Sequence, residues 1–273
     1  MNSMSAGRWP SDEHRDRMIT STANETIKHV TSLVKNAKAR RKEGVFVVEG
    51  ERIACEIPKD VLKECFVSEG FLADGKDVGK LGIDITPTVV TSAVFKKMSD
   101  TQNPQGILCV CKRSDMSAEE FLASRSGGDI RLLILEGIQD PGNLGTMVRT
   151  AEGAGFDAII ADGNTVDVYN PKVTRSTMGS VFRVPVIYTD DLPSFIDMLK
   201  KNEVKVYAAH LNGDRSFREE EYGRRIAFLI GNEGNGLSDK LCARADVLVR
   251  IPMKGKLESL NAAVAAALLM YNV

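Results

Sequence analysis

Net charge, cysteine pairs and long apolar runs are all scarce in this sequence of 273 residues. The formal net charge is −1, so the total charge does not identify a nucleic-acid binder, and the distribution of charge matters more. The 5 cysteines form no CxxC pair, which argues against a metal site, and we expect buried free thiols in the run ILCVC. The longest apolar stretch, Ala262 to Tyr271, is about half a membrane span, and no signal peptide is recognisable. We therefore predict a cytoplasmic location in a reducing compartment, and no bound metal.

The first part of the chain predicts a small α/β domain after a short unstructured start. Residues 1–17 are polar, rich in Met and without periodicity, and we expect them to be disordered or tag-like. Residues 18–112 alternate helix and strand signals, with a strand at Val45–Glu49 and Ser92 as a helix N-cap. Residues 113–129 are polar and rich in Ser and Gly, so we interpret them as a linker to a second domain.

Residues 130–273 predict a parallel α/β domain. Apolar strand runs recur there, nearly continuous rather than alternating, as expected when helices cover both faces of a parallel sheet. Predicted helices lie between them, at Leu144–Ala154, Pro171–Met178, Ser194–Lys201, Leu237–Arg244 and Leu260–Tyr271. Parallel sheets bind ligands at the carboxyl ends of their strands, so chemistry is expected where strands run into loops, and three loops stand out.

The first loop joins the strand RLLILEGI to a helix after a Pro-Gly turn. We expect Asn143 to cap that helix. Arg149 projects from nearly the opposite face to the apolar residues of the helix. It therefore either contacts a ligand or forms a solvated i,i+3 ion pair with Glu152.

The second loop, GNEGNG, has three glycines in six residues, from Gly231 to Gly236. Glycine permits positive φ and lets backbone amides approach a ligand closely. The order G-x-x-G-x-G is not the dinucleotide fingerprint G-x-G-x-x-G, and the glycines alone suit a tight turn equally well. Glu233 within this turn is either simply exposed or holds a ligand or partner.

The third loop follows a strand that ends at Pro252 and leads into an apolar helix. Ser259 is well placed as the N-cap of that helix. Asn261 is polar in an otherwise apolar first turn. Leu260, Val264 and Leu268 are expected on one face with Ala267 and Tyr271, and the small alanines on the other side suit close helix contact.

Together the three loops resemble, in order and separation, the three motifs of the SpoU–TrmH branch of the SPOUT methyltransferases. The first motif is carried by Asn143, Gly145, Arg149, Thr150, Ala151 and Gly155; the second by Gly231, Asn232, Glu233, Gly234, Gly236 and Leu237; the third by Ile251, Pro252, Met253, Gly255, Ser259, Leu260 and Asn261. The segment YNPKVTRSTMGSVFRVPV is similar to a further family segment. Ala262-Ala263 stands where the family often has Val-Ser, a departure that affects helix packing more than chemistry.

The resemblance implies methylation of a ribose 2′-hydroxyl in RNA with S-adenosylmethionine. It also implies a trefoil knot, a rare exception to the rule against threaded chains, and a homodimer whose sites are completed by the partner chain. The donor-binding residues implied are Ala208, Ala209, His210, Gly231, Asn232, Glu233, Gly236, Ile251, Met253, Ser259 and Leu260. The catalytic residues implied are Arg149, Asn143, Glu233, Ser259 and Asn261.

The expected roles follow from the chemistry. A guanidinium is a poor base because its pKa exceeds about 12. Arg149 is therefore expected to grip the adjacent phosphate and stabilise the developing alkoxide, while the proton leaves to that phosphate or to water. Asn143 and Asn261 would position the ribose and Arg149. Glu233 would hold its loop or pair with a cation, and Ser259 would fix the third loop.

The first domain resembles, more weakly, the ribosomal-protein-like substrate domain of family members that act on ribosomal RNA. Independently of the resemblance, its basic stretch is either a solvated turn or a footprint on RNA phosphates, and the latter is favoured on a nearly neutral protein. The RNA-binding residues predicted are Lys35, Lys38, Arg40, Arg41 and Lys42, with Lys172 and Arg175 from the second domain.

Other functions remain open at this level. The same reaction on transfer RNA, or a catalytically inactive RNA-binding homologue, would share the fold. A nucleotide-binding oxidoreductase is disfavoured because QDPGNLG lacks the G-x-G-x-x-G spacing.

Overall fold

The computed structural model describes residues 18–125 and 127–273, so the segment expected to be disordered or tag-like, residues 1–17, lies outside the described residues. The chain forms two compact units, one made of residues up to Ser114 together with Tyr169–Phe182, the other of Asp115–Val168 and Arg183–Val273. The domain bounds read from the sequence stay a prediction, because Tyr169–Phe182 lies within the family-like stretch yet packs with the first unit.

The helices and strands follow the predicted order closely. In chain order they are α1 (Glu25–Lys35), α2 (Ala37–Glu43), β1 (Val45–Glu49), α3 (Glu51–Ala54), β2 (Leu62–Ser68), α4 (Glu69–Ala73), β3 (Thr88–Val90), α5 (Ser92–Met98), β4 (Ile107–Lys112), α6 (Ala118–Ser124), β5 (Ile130–Leu135), α7 (Pro141–Gly153), β6 (Ala158–Asp162), α8 (Pro171–Thr177), β7 (Val186–Thr189), α9 (Leu192–Lys201), β8 (Lys205–Ala209), β9 (Arg215–Ser216), β10 (Arg225–Ile230), α10 (Asp239–Cys242), β11 (Val247–Arg250) and α11 (Ala262–Met270).

The first unit is built on a four-stranded sheet in the order β1-β4-β2-β3. Strand β4 is antiparallel to both of its neighbours, and β2 and β3 are parallel. Apolar residues of α1 and α5 cover one face of this sheet and form its core. On β1, Phe46 packs against Tyr169 with the rings tilted and their centroids 4.5 Å apart, and α8 contacts β1, so α8 and its flanks pack with this unit.

Two expectations for the first unit can be checked directly. The N-cap of α5 is Thr91 and not Ser92, the residue suggested by the sequence, because Thr91 Oγ1 accepts the hydrogen bond from Val94 N and Ser92 is the first helical residue. The prediction of buried free thiols is confirmed, since Cys109 and Cys111 are fully buried and unbridged. Burial raises the pKa of Cys111 to about 12, which keeps the thiol protonated and unreactive.

The second unit carries a seven-stranded sheet in the order β7-β6-β5-β10-β8-β11-β9, and every pair in it is parallel. The mixed α/β architecture predicted from the sequence is thus confirmed. The apolar side chains of the central strands β5 and β10 are buried, as the continuous apolar runs required. The carboxyl ends of β5, β10, β8 and β11 lie along one edge of this sheet, and the three motif loops leave from that edge.

The C-terminal helix α11 is apolar on nearly all sides, and the structure shows which of its faces is buried. Its small residues face inwards with Leu269 and Met270, whereas Val264, Leu268 and Tyr271 are exposed by 48%, 36% and 66%. The predicted Leu stripe is therefore the outward face. Within residues 18–125 and 127–273, no helix has the length and apolarity needed to cross a membrane.

Candidate active site

A pocket of about 270 Å³ opens at the carboxyl ends of β8, β10 and β11. All of the donor-binding residues predicted from the sequence line it, with one exception. Ala208 is fully buried within β8, and the pocket wall begins at the next residue, Ala209. Apolar side chains, among them Ile230, Leu237 and Met253, and the backbone of the glycine loop make up much of the wall.

The glycine loop is locked into a tight turn over this pocket. Asn232 and Gly236 exchange two backbone hydrogen bonds, of 3.1 and 2.9 Å, and Asn232 Oδ1 accepts from the amides of Gly234 and Asn235. A Cβ on Gly231 would lie 2.2 Å from the carbonyl carbon of Gly236, so no other residue fits there. Both earlier interpretations of the glycines hold together, since they make a tight turn and bring the backbone up to a pocket.

Three predicted catalytic residues, one from each motif loop, meet in a single hydrogen-bonded chain. Asn261 Nδ2 donates to Asn143 Oδ1 over 2.9 Å, and Asn143 Nδ2 donates to Glu233 Oε1 over 2.9 Å. Since Asn261 and Glu233 are 28 residues apart and Asn143 precedes Glu233 by 90, only the parallel sheet brings them together. Both hydrogen bonds run in the direction of Glu233, whose carboxylate is the final acceptor.

Glu233 also fixes the start of the first motif. Its two carboxylate oxygens accept from the backbone amides of Gln139 and Asp140, each over 3.3 Å. Burial alone would raise the pKa of Glu233, but the hydrogen bond from Asn143 and the backbone donors outweigh it, and the pKa is lowered. The carboxylate is therefore ionised at neutral pH and holds the loop rather than pairing with a cation within the described residues.

Two predicted helix caps are wrong. In each case the polar side chain that was predicted as the cap lies in the site instead. Asp140, not Asn143, caps α7, because Asp140 Oδ1 accepts from Asn143 N over 2.8 Å. Asn261, not Ser259, caps α11, through hydrogen bonds from Ala263 N and Val264 N. Ser259 instead lies exposed in the pocket wall. Pro141 at the first helical position is the signal that marks Asp140 as the cap.

Arg149 is exposed on α7 and does not pair with Glu152. Glu152 binds Arg183 instead, through two hydrogen bonds from its guanidinium. Among the residues that the structure describes, Arg149 has no ion-pair or hydrogen-bond partner from a side chain. The guanidinium is thus available to a ligand, as the functional interpretation required.

The predicted RNA-binding residues fall into three groups. Lys35, Lys38, Arg41, Lys42 and Lys172 are exposed. Arg40 is 3% exposed and donates to the carbonyls of Leu33 and Val34 over 3.0 and 3.2 Å, so it closes the end of α1 and, unlike the other five, presents almost no surface to RNA. Arg175 lies 3.4 Å from Asp100, which already occupies part of its guanidinium.

Comparison with known proteins identifies two matching family models. Residues 131–271 match the SpoU rRNA Methylase family, and residues 24–109 match the MRM3-like substrate binding domain. A 23S rRNA (guanosine(2553)-2'-O)-methyltransferase, RlmP of Bacillus subtilis (strain 168), is 35% identical over 259 residues, covering 94% of this chain and 99% of that protein.

Solved structures agree with these matches. An RNA 2'-O ribose methyltransferase has a TM-score of 0.78 and 31% identity, over 93% of this chain and 97% of that one. An AdoMet-bound rRNA methyltransferase from Sinorhizobium meliloti has a TM-score of 0.80 and 28% identity, over 93% and 96%.

Proposed function

Because the chain belongs to the SpoU rRNA methylase family, we propose that it transfers a methyl group from S-adenosylmethionine to a ribose 2′-hydroxyl of ribosomal RNA. The observation that carries the proposal is the hydrogen-bonded chain Asn261–Asn143–Glu233 beside the pocket of the glycine loop. It unites one polar residue from each of the three motifs at one edge of the sheet.

The pocket fits an adenine nucleoside with a charged amino-acid tail. Apolar side chains such as Leu237 and Ile251 offer flat surfaces to a base, and the close approach of chain at Gly231 leaves backbone amides and carbonyls to recognise its edge. The mouth of the pocket carries Glu258, a carboxylate suited to an ammonium group. S-adenosylmethionine supplies an electrophilic methyl group when it is bound there.

The residues of this chain then have to orient a hydroxyl nucleophile and manage its proton. Asn143 is held at both ends of its amide, so its position is fixed before RNA arrives. Arg149 stabilises the developing alkoxide and grips the neighbouring phosphate, and that phosphate or water takes the proton.

We also propose that the chain acts as a homodimer through α11 and the adjoining face of α7. An apolar groove lies there, and Val264, Leu268 and Tyr271 line it beside Thr146. Arg149 follows Thr146 by one turn, and a Cβ on Gly153 would meet the Tyr271 hydroxyl, so Arg149 lies on the helix face that borders this groove. A partner chain seated on the groove would receive that guanidinium close to its own site. We further propose that the second unit contains the trefoil knot that the family resemblance implies.

The first unit would dock the substrate through the exposed cations of α2, which stand next to one another without an acidic residue between them. We place the reaction in the cytoplasm, since all 5 cysteines are free. Mapping of 2′-O-methyl positions in ribosomal and transfer RNA, from cells with and without the gene, tests the proposal. One ribosomal position should lose its methyl group, whereas loss confined to transfer RNA or no loss at all would contradict it.

A further inference from the structure

The loop that leads into the first motif, residues 137–140, is held from two opposite sides. On the side of β10, Asn232 Nδ2 donates to the carbonyl of Gly137 over 2.7 Å, and Glu233 accepts from the next amides. On the side of β6, the loop meets a second set of groups that none of the three motifs contains. Because β5 lies between β6 and β10 in the sheet, the two sets approach the same loop from its two neighbours.

The second set consists of Asp162, the last residue of β6, and Thr165. Asp162 Oδ1 accepts from Gly137 N over 2.8 Å, from Thr165 N over 3.0 Å and from Thr165 Oγ1 over 2.7 Å. Thr165 Oγ1 in turn accepts from Ile138 N over 3.2 Å. Thr165 is 5% exposed and Ile138 is fully buried, so water does not replace these bonds easily.

Gly137 has φ +68°, in the left-handed region that favours glycine, at the start of the loop that leads into α7. The hydroxyl of Thr165 links the carboxylate to the second amide of the loop, so the two residues act as one clamp. Neither residue lines the donor pocket.

We propose that Asp162 and Thr165 are positioning residues for methyl transfer. Through the backbone of Gly137 and Ile138 they fix the place of Asn143, and they influence the transfer step while leaving donor binding unchanged. The inference rests on the proposed function, because it assigns the clamp to that reaction. A displacement of a positioned group by about 1 Å is enough to slow a reaction by about 100-fold.

The test compares Thr165→Val, which removes the hydroxyl at nearly constant shape, with Thr165→Ser, which keeps it. Thr189→Val is the matched control, since Thr189 ends the adjacent strand β7 and its hydroxyl accepts from Asp191 N, outside the loop. Three quantities are measured for the full-length chain: the single-turnover methylation rate at saturating RNA and donor, the Kd for S-adenosylmethionine by calorimetry, and the Kd for RNA.

Thr165→Val should transfer the methyl group about 10- to 100-fold more slowly, with both Kd values within about twofold of wild type. Thr165→Ser should recover most of the rate, and Thr189→Val should match wild type. A wild-type rate in Thr165→Val, or a fall in donor affinity that accounts for the whole loss of rate, would overturn the inference.

Asp162→Ala provides the same test by removing the acceptor oxygen itself, should Thr165→Val fail to fold. A slower transfer with unchanged Kd values supports the clamp, and an unchanged rate overturns it. A wild-type protein that methylates no RNA would count against the proposed function instead, so the two failures are distinguishable.

Discussion

Asn143 donates a hydrogen bond to Glu233 over 2.9 Å, and this contact joins the first motif to the second. The amide of Asn143 uses its nitrogen towards the carboxylate and its oxygen towards Asn261, so its orientation is determined by chemistry on both sides. If the Asn143 amide were rotated, its oxygen would face the carboxylate oxygen of Glu233, and no hydrogen bond could form between them.

Asn143→Asp should be more damaging than Asn143→Ala for this reason. The new carboxylate would lie within hydrogen-bonding distance of Glu233, whose pKa is already lowered by its donors, and two negative charges would repel across the site. We expect methyl transfer to fall by about 100-fold or more, as for loss of a positioned polar group in an active site. Single-turnover kinetics measures the effect, with Asn202→Asp at the end of α9 as the control. Equal rates for the Asp and Ala variants would show that charge repulsion plays no part.

Arg149→Ala should abolish methyl transfer and leave the affinity for S-adenosylmethionine nearly intact, because Arg149 does not line the donor pocket. Arg149→Lys should restore little, since lysine keeps the charge but loses the planar two-pronged donor geometry. Donor calorimetry and single-turnover methylation are measured on the same samples. Arg224→Ala, which removes an exposed arginine from the same unit, is the control. Full activity of the Ala variant would remove Arg149 from the mechanism.

Substitution of Lys38, Arg41 and Lys42 by Ala should weaken RNA binding and flatten its salt dependence. Each lost phosphate contact lowers the slope of log K against log salt by about one unit. Arg40→Ala should behave differently, because Arg40 is buried against the end of α1 and its loss lowers thermal stability. Filter binding at several salt concentrations and thermal melts separate the two effects. A salt slope unchanged in the triple variant would exclude α2 from the RNA contact.

Leu268→Glu should convert a dimer into a monomer, because it places a charge on the exposed apolar face of α11 without touching the buried residues Leu269 and Met270. Sedimentation equilibrium at micromolar concentration measures the change. The control is a thermal melt, which should show that the monomeric variant is still folded. Wild-type protein that sediments as a monomer would refute the proposed assembly.

Much of the architecture could be predicted because buried parallel strands leave continuous apolar runs in a sequence. The motif loops could be located for a related reason, since parallel strands deliver their polar ends to one edge. The contact between Asn143 and Asn261 could not, because it depends on which side chain each helix uses as its cap. Several polar residues near the start of a helix can serve as its cap, and Pro141 at the first helical position makes Asp140 the cap of α7.

The sequence also could not show which side chains of α11 and of the basic stretch are buried. α11 is apolar on nearly every side, so periodicity carries no information about which face is buried, and the structure shows that the face with Leu268 is the exposed one. A run of cations does not reveal that Arg40 finds carbonyls at the end of the preceding helix. The clamp of Asp162 and Thr165 has no motif of its own, because its partners are backbone amides.

The most direct test of the account is the identity of the methylated product. Purified protein is incubated with ribosomal RNA that lacks the modification and with S-adenosylmethionine labelled in its methyl group, and the RNA is then digested to nucleosides for mass spectrometry. The proposed reaction places label in one 2′-O-methylnucleoside, and none with Arg149→Ala. Label in a methylated base, or unlabelled RNA from folded and donor-saturated protein, would contradict the proposal.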